Sequence, residues 1–139
     1  MTAGVTATLV RPTGPSPTPA PVSGGRAAGA GRHLADPDPD RLATLGGRLS
    51  AAYPGRVAAG TRLADADLAV NATPLGLRPG DPPPLAVADL PAHAVVADVI
   101  MFPAETALLR AARERGLPAH PGEPVPAHQI DAHLHFFGL

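Results

Sequence analysis

The chain has 139 residues, enough for one domain around one core of modest size. Hydrophobic residues make up 45%, mostly Ala, Leu and Val, and aromatics only 3%, so large core anchors are scarce. A net charge of -1 argues against an electrostatic footprint for nucleic acid or anionic membrane, and the lack of cysteine excludes disulfides, thiolate metal sites and a cysteine nucleophile.

No apolar run approaches the ~20 residues of a membrane helix. Met1 to Val10 has neither the basic start nor the sustained apolar stretch of a signal peptide, so a cytoplasmic chain is expected. Thr6 to Val10 reads as a short strand without an obvious partner. Arg11 to Gly31 carries Pro12, Pro15, Pro17, Pro19 and Pro21 among Gly, Ala and Ser. Such a segment holds no helix and donates poorly to a sheet ladder, so residues 1–33 are expected to be disordered or extended. Gly24 to Gly31 invites a dinucleotide-loop reading, but that loop needs a strand before it and a helix after it. Its acidic ribose residue also lies ~20 positions on. Here a proline-rich segment precedes, and Asp36 follows Gly29 by seven positions. A flexible glycine tract is the preferred reading.

Arg32 to Asp36 reads as a strand remnant. Asp38-Pro39 starts a helix, with aspartate as cap and proline at the first helical position. Leu42, Leu45, Leu49 and Ala52 form its apolar stripe, weakened by Gly46 and Gly47. Pro54-Gly55 ends it, and Arg56 to Ala59 suits a further strand. Arg62 to Ala66 forms one turn at most. Leu68 to Ala72 is a buried strand running into a tight turn at Pro74 and Gly76. Small polar residues followed by Pro and Gly fit a parallel strand whose carboxyl end faces a ligand. Ala86 to Leu90 forms a helical turn and Ala94 to Ile100 a second apolar strand. A helix follows over Ala104 to Arg115, with Glu105 and Thr106 in its first turn, Leu108, Leu109 and Ala112 facing the core, and Gly116 beyond its end. Pro118 to His120 is a last short strand. Pro126 or Ala127 opens a helix to about Phe137, with Ile130, Leu134 and Phe137 on one face. His128, His133 and His135 lack the i, i+4 spacing of a helical metal motif and read as exposed histidines.

The wording of three segments goes further. "DLAVNATPLGL", "VVADVIMFPAETALLRAARERGL" and "HPGEPVPAHQIDAHLHFFGL" together resemble the cofactor domain of the shikimate/quinate dehydrogenase family. There an NATPLG turn is followed by a D-V-x-Y-x-P-x-x-T-x-L-L segment and then a glycine-containing loop leading to a glutamine. The resemblance runs from Leu34 to Leu139, about three quarters of the chain. It implies an α/β fold: an incomplete doubly wound, Rossmann-like and mostly parallel sheet over residues 34–139. It implies NAD- or NADP-dependent hydride transfer to or from a hydroxylated cyclohexene carboxylate of shikimate or quinate type.

Carried over position by position, the resemblance places adenosine-ribose recognition at Asp36 to Arg41. A carboxylate there favours a free 2′-hydroxyl and repels a 2′-phosphate, which tilts the expectation toward NAD. The bland alternative is a loop acid beside a helix start. Asn71, Thr73 and Gly76 would line the cofactor crevice, or simply satisfy the turn. Val99 and Gly122 match positions near the nicotinamide; core packing and a plain turn are their alternatives. Met101 and Gln129 match substrate contacts, although Met101 stands where the family has tyrosine, and a surface glutamine is the bland reading of Gln129.

The family's catalytic lysine and its partner aspartate lie in an N-terminal substrate domain, whereas all 11 basic residues here are arginine. No catalytic residue is therefore assigned. Two expectations compete: an oxidoreductase fragment active only with a separate chain supplying the substrate domain, or a non-catalytic remnant or interaction module keeping the fold. Cofactor binding is expected to be impaired for want of a phosphate loop. The change of character at Leu34 suggests that the preceding residues are translated from a disrupted or misread 5′ region. A bare central strand edge and poor solubility would follow from such a loss.

Overall fold

The structure is a computed structural model, and it describes residues 7–12, 30–60 and 62–138. Six strands and three helices are described: β1 (Ala7–Pro12), β2 (Ala30–Ala35), α1 (Pro39–Ala52), β3 (Val57–Ala59), β4 (Leu68–Asn71), β5 (Val95–Asp98), α2 (Ala107–Glu114), β6 (Ala119–His120) and α3 (Pro124–Phe137). Single 3₁₀ turns stand at Leu63–Asp65 and Val87–Asp89, where the sequence suggests one turn each.

The strands form one sheet in the order β3-β2-β1-β4-β5-β6. That is the order of a doubly wound dinucleotide-binding sheet, whose ligand crevice opens where the strand order reverses. Pairing is parallel for β2–β3, β4–β5 and β5–β6. β1 is the exception, running antiparallel to both neighbours, with Thr8 opposite Leu34 of β2 and Val70 of β4. Because both its neighbours oppose it, β2 and β4 run the same way. Five carboxyl ends therefore share one edge of the sheet.

β1 corrects two expectations. The strand expected at Thr6 to Val10 has partners on both sides, and by pairing with β4 it covers the central edge expected to be bare. The boundary placed at Leu34 falls inside β2, and β1 and the start of β2 lie in the stretch expected to be disordered or extended. Residues 13–29, including the Gly24 to Gly29 part of the glycine tract, lie outside the described residues.

The core lies on one side of the β4–β5 pair. Ala66, Ala69, Leu85, Val87, Leu90, Ala94, Val96, Leu108, Ala112 and Leu117 form it, without a single aromatic ring. α2 buries Leu108, Leu109 and Ala112, the three residues expected from the spacing, and Leu108 and Ala112 join this cluster. The helix starts later than expected, because Thr106 is its cap: the Thr106 hydroxyl accepts from the Leu109 N–H at 3.3 Å. Glu105 thus lies outside the first turn and pairs with Arg113 and Arg110 on the surface. At the other end, Gly116 takes φ 76°, its N–H reaches Arg113 O, and Leu117 N–H reaches Ala112 O, which is a Schellman closure.

α1 starts as expected. Asp38 accepts from the Asp40 and Arg41 N–H groups at 3.0 and 3.1 Å, and these bonds from the helix start hold its carboxyl below the usual carboxylate range. The stripe of α1 is only half-covered: Leu42, Leu45 and Leu49 are partly buried, Ala52 is exposed, and no α1 residue is fully buried. α3 is barer still. It begins at Pro124, earlier than expected, and every residue of it is exposed, with Ile130, Leu134 and Phe137 on one face. Among the described residues no helix is long and apolar enough to cross a membrane.

Candidate cofactor-facing site

The common carboxyl edge collects the residues singled out in the sequence. Asp36 follows β2, Asn71 ends β4, and Val99 to Met101 follow β5. Asp36 and Asn71 stand on either side of β1, two strand spacings or about 10 Å apart.

The turn after β4 is built by its own side chains. Leu77 N–H returns to Pro74 O at 3.1 Å, and Gly76 holds φ 102°, a backbone that favours glycine. The Asn71 amide oxygen accepts from the Thr73 N–H at 3.0 Å and the Thr73 hydroxyl at 2.7 Å. The Asn71 amide NH₂ donates to Leu75 O and to the Asp98 carboxylate, both at 3.0 Å. The Thr73 hydroxyl in turn accepts from the Leu75 N–H at 3.1 Å. Asp81 closes the loop by accepting from the Gly76 and Arg78 N–H groups. Asn71 and Thr73 are buried, at 0% and 7% exposure, so their side chains form the turn from within. Turn chemistry accounts for both side chains.

Asp98 is a residue that sequence reasoning passed over. Its carboxylate is 2% exposed and accepts from Asn71, from the Ile100 N–H at 3.1 Å and from the Thr106 hydroxyl at 2.7 Å. The available signal was an acid closing an apolar strand with a threonine eight positions on, the D and T of the second motif.

Gly122 has a packing reason for being glycine. It is buried, and a Cβ built on it would lie 2.5 Å from the carbonyl carbon and oxygen of Val99 and 2.8 Å from Ile100 O. The loop before α3 thus presses on the backbone that follows β5. Val99 and Met101 stand half-exposed beside it, and Phe102 is more exposed still. Gln129 lies on α3 with no cover. Arg41 is engaged at its own helix start, its guanidinium donating to Asp38 at 3.1 Å.

Asp36 differs from the satisfied groups. Its Oδ1 accepts from the Asp38 N–H at 2.8 Å, but its Oδ2 is buried with no hydrogen-bond partner among the described residues. A buried, unpaired carboxylate oxygen is costly and is the kind of group a ligand hydroxyl satisfies. Among the described residues the pyrophosphate end of a dinucleotide finds no comparable provision. Its place is the carboxyl end of the central strand, where a glycine-rich turn feeds a helix N-terminus. Here the amino end of β1 occupies that edge.

Strand order, the shared carboxyl edge and the two motif turns define the class: a Rossmann-like α/β sheet. The particular match is to the shikimate/quinate dehydrogenase family, over its C-terminal, cofactor-binding part. The chain is 54% identical over 67 residues to shikimate dehydrogenase (NADP(+)) of Methylocella silvestris, covering 48% of this chain and 24% of that protein. It is 35% identical over 113 residues to that of Acidiphilium cryptum, covering 81% of this chain and 41% of the relative. Among solved structures it is similar to quinate dehydrogenase from Corynebacterium glutamicum in complex with NAD, with TM-score 0.65 and 34% identity over 77% of this chain and 41% of that one. It is likewise similar to shikimate 5-dehydrogenase from Thermus thermophilus in complex with NADP(H) and shikimate, with TM-score 0.64 and 28% identity over 77% and 40%. The chain thus spans under half the length of these relatives. No family profile matches it.

Proposed function

We propose that this chain is the nicotinamide-cofactor part of a shikimate- or quinate-type dehydrogenase and does not turn over by itself. The observation that carries the cofactor reading is the Oδ2 of Asp36, buried without a hydrogen-bond partner among the described residues at the carboxyl edge of the sheet, one strand from the switch point. A ribose 2′-hydroxyl would donate to it. A 2′-phosphate would meet a negative charge, so NAD is preferred over NADP. Val99, Met101 and the backbone at Gly122 would border the nicotinamide and the substrate ring. A bound cofactor supplies the hydride chemistry, and this chain's residues orient it. Acid–base help and most substrate contacts would come from a separate substrate-domain chain, since no lysine is present.

Mixing the isolated chain with NAD or NADP and shikimate or quinate should give no reduced-nicotinamide absorbance. Measurable turnover would refute inactivity alone. Calorimetry should detect weak NAD binding or none, because no phosphate anchor stands among the described residues; a low-micromolar Kd would contradict this. At millimolar NAD, amide resonances of Asp36 and Val99 should still move. If no resonance at the carboxyl edge responds, the cofactor reading fails. A non-catalytic interaction module then becomes the better account, a role for which the uncovered apolar face of α3 speaks.

Asp36→Asn is expected to narrow the difference between NAD and NADP, measured as the ratio of the two resonance-shift titrations. Equal responses to both cofactors in the unaltered chain would remove the argument's basis.

A further inference from the structure

Asp98 is a buried carboxylate whose three donors, all neutral, come from three different segments. They are the amide of Asn71 at the end of β4, the N–H of Ile100 beyond β5, and the hydroxyl of Thr106 at the cap of α2. The contact with Asn71 has a particular chemical consequence. An asparagine amide can present either its oxygen or its NH₂ in a given direction, and the Oδ1 of Asp98, which also takes the Ile100 N–H, faces it as an acceptor. Asp98 therefore forces the NH₂ of Asn71 toward β5, which turns the Asn71 oxygen toward Thr73. That orientation is the one the turn needs: the oxygen takes the Thr73 N–H and hydroxyl, and the NH₂ also holds Leu75 O. Reversed, the amide would offer its NH₂ to the Thr73 N–H and its oxygen to the Leu75 carbonyl and the carboxylate, and these contacts would be lost.

The turn also leans on the same junction sterically. A Cβ on Gly76 would lie 3.6 Å from the Ile100 side chain and 3.7 Å from that of Thr106.

We propose that Asp98 is a positioning residue: acting through the amide of Asn71, it sets the conformation of the 71–76 turn from the neighbouring strand. Its bearing on chemistry rests on the reading that this turn borders the cofactor crevice, whereas the positioning itself can be measured without any cofactor.

The test is amide hydrogen exchange by NMR. In the unaltered chain the side-chain NH₂ of Asn71 should exchange far more slowly than that of the exposed Gln129. Equal rates would overturn the proposal before any variant is made. In Asp98→Ala, exchange at Thr73 and Leu75 should rise about tenfold or more beyond the rise at Val96, whose N–H bonds Pro118 O inside the sheet. A merely structural role would accelerate Val96 equally, and that result would also overturn the proposal. Asp98→Asn keeps one acceptor oxygen and the shape, so it should hold Thr73 and Leu75 within about threefold of the unaltered chain. Should Asp98→Asn loosen the turn as much as Asp98→Ala, the proposal fails. The exchange outcome is independent of the response of Asp36 and Val99 to NAD, so the two readings stand or fall separately.

Discussion

Gly122→Ala is expected to lower the melting temperature by on the order of 10 °C. The added methyl carbon would sit 2.5 Å from the Val99 carbonyl carbon and oxygen and 2.8 Å from Ile100 O. All three are backbone atoms, so no rotamer change makes room. The segment they belong to is held in place by the Ile100 N–H bond to Asp98 and by the β4–β5 ladder. Relief requires the loop at Gly122 to withdraw or the end of β5 to bend, and overpacking of this kind costs about 1–3 kcal/mol. In a chain of this size each kcal/mol moves the midpoint by about 3–5 °C. Thermal unfolding followed by circular dichroism checks it, with Gly46→Ala as the contrast. Gly46 lies mid-helix with nothing within 4 Å of a built Cβ, so alanine there should be neutral or stabilising. If Gly122→Ala melts within about 2 °C of the parent, the steric account is wrong.

Leu109→Ala is expected to have the largest effect of any single side-chain truncation. Leu109 is 0% exposed and among the largest fully buried side chains, so its truncation would leave a void inside the fold. Leucine-to-alanine changes at such sites cost about 2–5 kcal/mol. Against a total stability of about 5–15 kcal/mol for a typical domain, that is a large share. The thin packing of α1, which buries no residue fully, offers little reserve. Urea unfolding should show a strongly lowered midpoint with an unchanged slope. A midpoint close to that of the parent would mean the site collapses around the smaller residue or that the core lies elsewhere.

Local features of the fold were legible in the sequence because local physics sets them. Asp38-Pro39 caps α1, Gly116 closes α2, and the apolar runs at Leu68 and Ala94 are β4 and β5. The start of α2 was misjudged because Pro103-Ala104 reads as a helix opening, while the Thr106 hydroxyl is the group that caps the helix. The role of β1 was not legible. Its length and composition announce a strand, but neither its neighbours nor its direction, since the β4 pairing joins Thr8 to Val70 across most of the chain. The candidate site was half legible. Its place at the strand ends followed from the motif order. The inward turn of Asn71 and Thr73 did not, because polar residues at a strand end suit a ligand and a turn equally. Asp98 went unassigned for a related reason: an acid in an apolar strand is explained only by the donors that converge on it, and those come from Asn71 and Thr106, far off in sequence. Asp36 stood out by residue type and position alone, and its unpaired oxygen is what the structure adds.

The reversed β1 sets a distance in sequence space. A backbone ladder accepts a neighbour running either way, so filling the centre of the sheet makes little demand on direction. A loop that must hold an anion is unforgiving, because it exists only where a strand's carboxyl end meets a helix start. Inverting a strand exchanges its two ends, and no series of point substitutions exchanges them back. Engineering a phosphate-binding turn into this chain would therefore mean replacing everything before β2 as one cassette of strand, glycine turn and crossover helix. Selection by single-residue steps faces the same gap. The described sheet is continuous as a hydrogen-bonded object whichever way β1 runs, and the direction of that strand is altered by a segment exchange, not by a mutation.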